Sequence, residues 1–167
     1  KQGAIPKPMF TAQANQAITS KPVVSLQNST VTGTAGSPNL MVFFGTGQYL
    51  VNGDISTTAT QSFYGIWDEG NKELTIADLT NQPLIENGTH TLRTTYVSGD
   101  AGYASVIYDG ANNANKGWYH NLPTSGERVV VNPKIRGNYV FYNTLIPDTD
   151  PCKPEGYGWL MAVKQSD

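Results

Sequence analysis

No apolar stretch in this chain is long enough to lay a stripe along a helix or to cross a membrane; the hydrophobic residues come in short bursts, each cut by Gly, Pro, Asn or Asp. Side chains of a strand alternate between two faces, so bursts of this length with β-branched and aromatic residues indicate strands, and the interrupting residues supply the bends. About ten bursts qualify on that criterion. They lie near 22–26, 40–45, 62–68, 73–79, 92–98, 103–108, 117–122, 128–133, 138–146 and 158–164, and Thr, Tyr, Val and Phe dominate them. The nearest to a helical pattern, Glu73–Leu79, serves equally as a strand with Leu74, Ile76 and Leu79 near one face. The expected fold class is all-β and antiparallel.

Punctuation supports this. Gly45-Thr46-Gly47, Asn52-Gly53-Asp54, Asn87-Gly88, Asp109-Gly110 and Gly137-Asn138 offer positive-φ positions for tight turns. Arg136-Gly137-Asn138 joins Val129–Ile135 to Tyr139–Ile146 as an antiparallel hairpin. A weak repeat is also visible. Leu40–Gly45 and Asn138–Asn143 are both apolar second strands, preceded by Pro22-Val23-Val24 or Val131-Asn132-Pro133. Each is followed by an aromatic strand, Phe63–Asp68 or Gly158–Val163. Repeated four-stranded units are how a β-propeller reads in sequence.

The chain has 167 residues, 38% hydrophobic and 14% charged, which suits a single all-β region with a real core. Eleven Lys and Arg against thirteen Asp and Glu leave a net charge of -2, so there is no basic footprint for nucleic acid or an anionic membrane. Two histidines and one cysteine allow at most three His/Cys ligands for a zinc ion and no internal disulfide. The first residues, Lys1–Phe10, carry no signal-peptide core, and the chain is expected to be processed or excised from something longer.

Beside these patterns stand several motifs in a fixed order. Phe44-Gly45-Thr46-Gly47-Gln48-Tyr49-Leu50 is followed by Thr60-Gln61-Ser62-Phe63-Tyr64-Gly65-Ile66-Trp67-Asp68. Next come Lys116-Gly117-Trp118-Tyr119, Leu122-Pro123, Gly126-Glu127-Arg128-Val129-Val130, Asn132-Pro133 and Arg136-Gly137. The last are Asn143-Thr144-Leu145-Ile146-Pro147, Asp150-Pro151-Cys152 and Gly158-Trp159-Leu160-Met161. In that order, from near Pro8 to Val163, they resemble the C-terminal region of the PilY/PilC family of type IV pilus biogenesis factors and tip-associated adhesins.

The resemblance implies the closing blades of a larger β-propeller and a non-catalytic role in pilus assembly, attachment and motility. It places the protein outside the cell, at the pilus tip or outer surface, after export through the periplasm. The partners it implies are the upstream part of the same protein or a second chain, minor pilins at the tip, and a host or abiotic surface. The family's calcium loop, of the D-x-[DN]-x-[DN]-G kind, has no counterpart here: Asp68–Glu73 offers too few oxygens, and Asp148-Thr149-Asp150 is a lone pair. Calcium is therefore expected upstream, and no cofactor is expected in this chain. About sixteen strands would close a four-bladed ring, so an incomplete ring is expected.

Gly45, Gly47, Gln61, Phe63, Tyr64, Gly65, Trp67, Asp68, Trp118, Arg128 and Trp159 are the family-motif positions, expected to be structural. Trp67, Trp118 and Trp159 could instead be sugar-stacking platforms, although large aromatics more often pack between sheets. The strand 61–68 is expected to be covered on both sides, with Phe63, Gly65 and Trp67 sharing one face. His90 and His120 are the only imidazoles, and no G-x-S-x-G elbow surrounds Ser62, Ser125 or any other serine, so an enzyme is not expected. Cys152 is expected to pair with a cysteine outside this chain. The sequons at Asn28 and Asn87 are ascribed to chance. The alternatives are an autonomous carbohydrate-binding β-domain with exposed coplanar aromatics, or a fragment of a quinoprotein-like propeller enzyme.

Overall fold

The computed structural model describes residues 7–27, 39–68, 70, 73–86, 93–96, 100–101, 103–106, 116–148, 150 and 156–165. Its strands are β1 (Val23–Leu26), β2 (Leu40–Gly45), β3 (Ser62–Asp68), β4 (Thr80–Asn81), β5 (Leu84–Glu86), β6 (Arg93–Thr95), β7 (Gly117–Asn121), β8 (Lys134–Arg136), β9 (Tyr139–Asn143) and β10 (Leu160–Lys164). The first sheet runs in the order β1-β2-β3-β7-β4, antiparallel except for the parallel β7–β4 pair. The second is the antiparallel meander β10-β9-β8, and β5 pairs antiparallel with β6. The chain is all-β among the described residues, with two 3₁₀ turns at Asn52–Ser56 and Ile76–Asp78.

Alternation along the strands builds two cores. Cross-strand pairing places Met41, Phe43 and Gly45 opposite Trp67, Gly65 and Phe63, and the last two opposite Trp118 and His120. That face joins Val140, Tyr142 and Met161 of the second sheet in one buried cluster. The other face sets Phe44, Tyr64 and Ile66 against Leu74 and Leu79, with Phe10 packed alongside. Every residue of β3 from Ser62 to Trp67 is buried, as a central strand covered on both sides requires.

The repeat is real. β1-β2-β3 and β8-β9-β10 are equivalent meanders, and their facing is informative. With Leu40–Gly45 aligned on Asn138–Asn143, Met41 and Phe43 enter the shared core from the first sheet. From the second sheet, Val140 and Tyr142 enter it, and these are the counterparts of Val42 and Phe44. The front of one sheet therefore meets the back of the next, the arrangement of like-oriented stacked blades.

Several expectations are corrected. The segment 73–79 is not a strand: the Asp78 carboxylate accepts the Thr75 N–H at 2.9 Å and its hydroxyl at 3.1 Å, closing a turn that competes with ladder pairing. Leu74, Ile76 and Leu79 still meet in one core. The segment 128–133 is not a strand either, because Arg128 bonds Leu145 while Val129 N–H turns to Thr46 O at 2.9 Å, splitting the ladder between two partners. The hairpin is shorter than expected, pairing Lys134–Arg136 with Tyr139–Phe141 across Gly137-Asn138. Residues 103–106 form no strand, and Asn52-Gly53-Asp54 lies in a 3₁₀ turn without positive φ. Among the described residues the sheets hold five, three and two strands. Cys152, His90, both sequon asparagines, Asn87-Gly88 and the loop 109–115 lie outside the described residues.

One close backbone approach is where β3 pairs with β7. Gly117 has φ +136°, and a Cβ there would lie 2.1 Å from Gly65 O; a Cβ on Gly65 would lie 2.6 Å from the Trp118 ring. Gly117→Ala is expected to destabilise by more than about 2 kcal/mol through clash and backbone strain. Equal melting temperatures for variant and parent would refute that packing.

Candidate binding site

Past the end of β2 the chain turns sharply and leaves a polar pocket. Thr46 N–H donates to Ser62 O at 2.9 Å and Gly47 N–H to Ala17 O at 2.7 Å, so this turn is tied to β3 and to the N-terminal segment. Gly47 has φ +131°, and any Cβ would sit 2.4 Å from Arg128 Cβ. The following loop is fixed from within by Asp54, which is 3% exposed. Its carboxylate accepts Leu50 N–H at 2.7 Å, Val51 N–H at 3.0 Å and Gln48 Nε2 at 2.7 Å. Those bonds, the Leu50 backbone N–H foremost, hold the carboxyl below its ordinary range.

Arg128 clamps the same loop from the other side. Its Nε donates to Gly126 O at 2.8 Å, Nη1 to Gln48 O at 2.9 Å and Asp54 O at 2.6 Å, and Nη2 to Thr57 O at 3.0 Å. Burial pulls its pKa down while Asp54 opposes the shift. The guanidinium stays charged, spent on main-chain carbonyls.

Between these groups lies a cavity of about 700 Å³, walled by Gln13, Asn15, Gln48, Thr57, Thr58 and Gln61. Gln61 Nε2 donates to Asn15 O at 3.0 Å and Ala59 O at 3.1 Å, while its Oε1 is buried without a partner. Gln16 Nε2 donates to Ser62 Oγ at 2.9 Å, and Gln16 Oε1 accepts the Tyr64 hydroxyl. Amides and hydroxyls of this kind recognise an uncharged ligand by hydrogen bonding.

The motif residues thus separate between the pocket, the two cores and the sheet ends. Gly47, Gln61 and Arg128 meet at the pocket, whereas Gly45, Phe63, Gly65, Trp67 and Trp118 line the shared core and Tyr64 the second core. Asp68 ends β3, its Oδ1 accepting Gly70 N–H at 2.8 Å. Trp67 and Trp118 are both 0% exposed, which closes the sugar-platform reading for them. Trp67 Nε1 donates to Asn39 Oδ1 at 2.7 Å. Trp159 differs: it is half-buried, under the Arg93 guanidinium at 4.2 Å, beside a second cleft.

His120 lies on the opposite face of the first sheet from Ser62, so the two cannot form a catalytic pair. Its Nδ1 donates to Gln82 O at 2.6 Å, and its ring packs 4.8 Å from that of Trp118. Desolvation lowers its pKa from 6.5 to about 4. Because the folded value lies below the unfolded one, the unfolded chain takes up the proton first as pH falls. Stability held above pH 6.5 is lost across the window down to about 4, by about 3 kcal/mol. Urea midpoints at pH 7.5 and 4.5 should converge in His120→Gln; an undiminished pH dependence in that variant would assign the effect elsewhere.

Sequence reasoning did not find Asp54, or the ion cluster of Arg93, Glu86 and Glu127. Arg93 Nη1 meets Glu127 Oε1 at 2.6 Å with both side chains fully buried, and Nε meets Glu86 Oε1 at 2.9 Å. The only sequence signal was the scarcity of charge, 14% of residues, which makes each charged residue worth placing. Among the described residues no group of three or more His, Cys, Asp or Glu is placed to hold a metal ion.

Comparison with known proteins bears on this geometry. Residues 3–105 match the family model of the PilY1 beta-propeller domain. A Type IV pilus biogenesis factor PilY1 homolog of Xylella fastidiosa is 31% identical over 166 residues, covering 93% of this chain and 12% of the relative. The Type IV pilus biogenesis factor PilY1 of Pseudomonas aeruginosa is 26% identical over 173 residues, covering 92% of this chain and 14% of that protein. The crystal structure of the Pseudomonas aeruginosa PilY1 C-terminal domain superposes with a TM-score of 0.70 at 23% identity, over 96% of this chain and 34% of that one. The chain spans about an eighth of the length of the curated relatives.

Proposed function

The chain belongs to the PilY1 β-propeller family, and from that premise we propose that it is a non-catalytic, surface-acting module of a type IV pilus biogenesis factor. The observation that carries this reading is where its functional side chains are spent. Arg128 is committed to four bonds with main-chain carbonyls, and His120 is neutral and buried in the core. At the pocket beside Arg128, what remains for recognition is shape and neutral hydrogen bonding. In the finer reading the module belongs to a pilus-tip adhesin outside the cell, supports attachment and motility, and touches minor pilins and a host or abiotic surface.

We further propose that residues 1–167 are the closing blades of a larger ring completed by the upstream part of the protein or a second chain, in which Cys152 finds its disulfide partner. Supporting this, the outer face of the second sheet carries Leu160 at 74% and Tyr139 at 44% exposure, with Phe141 half-buried between them. A further blade would cover such a face.

The test is complementation. A strain lacking the full gene receives either the intact gene or one without the segment 7–165. Loss of surface pili and of pilus-driven motility is expected with the second. Normal piliation and motility there would overturn the proposal.

A further inference from the structure

We propose that the cleft beside Trp159 and Tyr157 binds a neutral saccharide. It has a volume of about 420 Å³ and is lined by Glu86, Thr124, Tyr157, Gly158 and Trp159, within the size range of small-molecule sites. This inference does not rest on the pilus role.

The wall is rigid. Tyr157 and Ile146 exchange backbone hydrogen bonds at 3.0 and 2.7 Å. Thr144 N–H donates to Trp159 O at 2.9 Å, and Trp159 N–H to Thr144 Oγ1 at 3.0 Å. Tyr157 is nevertheless 62% exposed. An aromatic ring on a pinned backbone, left open to solvent, offers apolar area at little ordering cost, and its face suits the C–H face of a sugar ring. Trp159 is packed from one side by the Arg93 guanidinium at 4.2 Å and leans on the shared core.

The same cleft carries acceptors, Glu86 and Thr124. Arg93 holds Glu86 Oε1 through Nε at 2.9 Å and through Nη2, which fixes the carboxylate at the cleft wall. Arg93 Nη2 also donates to Thr124 Oγ1 at 3.1 Å. A carboxylate accepts several hydrogen bonds at once, so one already oriented by Arg93 can still take sugar hydroxyls. Glu127 draws on the same guanidinium, so the cleft has no surplus positive charge to hold an anion, and the carboxylate acts as an acceptor for hydroxyls. An aromatic face, an oriented carboxylate and a hydroxyl match a polyol with one apolar face.

The experiment is saturation-transfer-difference NMR on the full-length protein with neutral hexoses, N-acetylhexosamines and their disaccharides, with Nα-acetyl-lysine amide as the cationic control. At least one neutral sugar should bind. Tyr157→Phe should keep its affinity within about threefold, and Tyr157→Ala should weaken it about tenfold or more, both with unchanged melting temperature. Absence of transfer from every sugar, equal affinity in Tyr157→Ala, or binding of the lysine control alone would each overturn the proposal.

Discussion

Trp67→Ala is expected to lower the free energy of unfolding by about 3–5 kcal/mol, the cost of emptying a large aromatic site that the surroundings cannot refill. The indole is 0% exposed, lies in the cluster shared by the two sheets, donates to Asn39 and carries the Lys116 ammonium 4.8 Å from its ring. Collapse into the void is resisted because the neighbouring β3 positions are pinned by ladder bonds on both sides. Denaturant titration of parent and variant would measure the loss. A change below about 1 kcal/mol would mean that Trp67 is not part of a packed core.

Arg93→Ala should cost a similar amount, about 3–5 kcal/mol, for an electrostatic reason. The guanidinium and Glu127 are both fully buried at 2.6 Å, and Thr124 N–H reaches Glu127 Oε2 only at 3.3 Å. Removing Arg93 strands the Glu127 carboxylate in a low-dielectric interior and uncovers Trp159. Replacing both charges, as in Arg93→Met with Glu127→Gln, should recover much of the loss, because the penalty comes from an unpaired buried charge. If the double variant is as unstable as Arg93→Ala, packing on Trp159 accounts for the effect instead.

Local pattern determined more of this protein than its weak motifs suggest. The alternation in Leu40–Gly45 and Ser62–Asp68 set both strands at their observed limits, because a strand buried on both faces needs an unbroken run of β-branched and aromatic residues. Gly137-Asn138 set the hairpin, and the likeness of Leu40–Gly45 to Asn138–Asn143 set two equivalent meanders. Partner choice was decided only by the tertiary structure. The segment 128–133 has strand composition, yet Arg128 pairs with Leu145 while Val129 N–H turns to Thr46 O, and Glu73–Leu79 gives its pairing up to a turn closed by Asp78. The three tryptophans look alike in sequence; sheet stacking buried Trp67 and Trp118 and left Trp159 at a cleft. The pocket was likewise out of reach, since Gly47, Gln61 and Arg128 come together only when loops separated by up to 81 residues fold onto one strand end. Period-two alternation encodes which face a side chain takes, whereas burial, ion pairing and cavities depend on which distant segment arrives to cover that face.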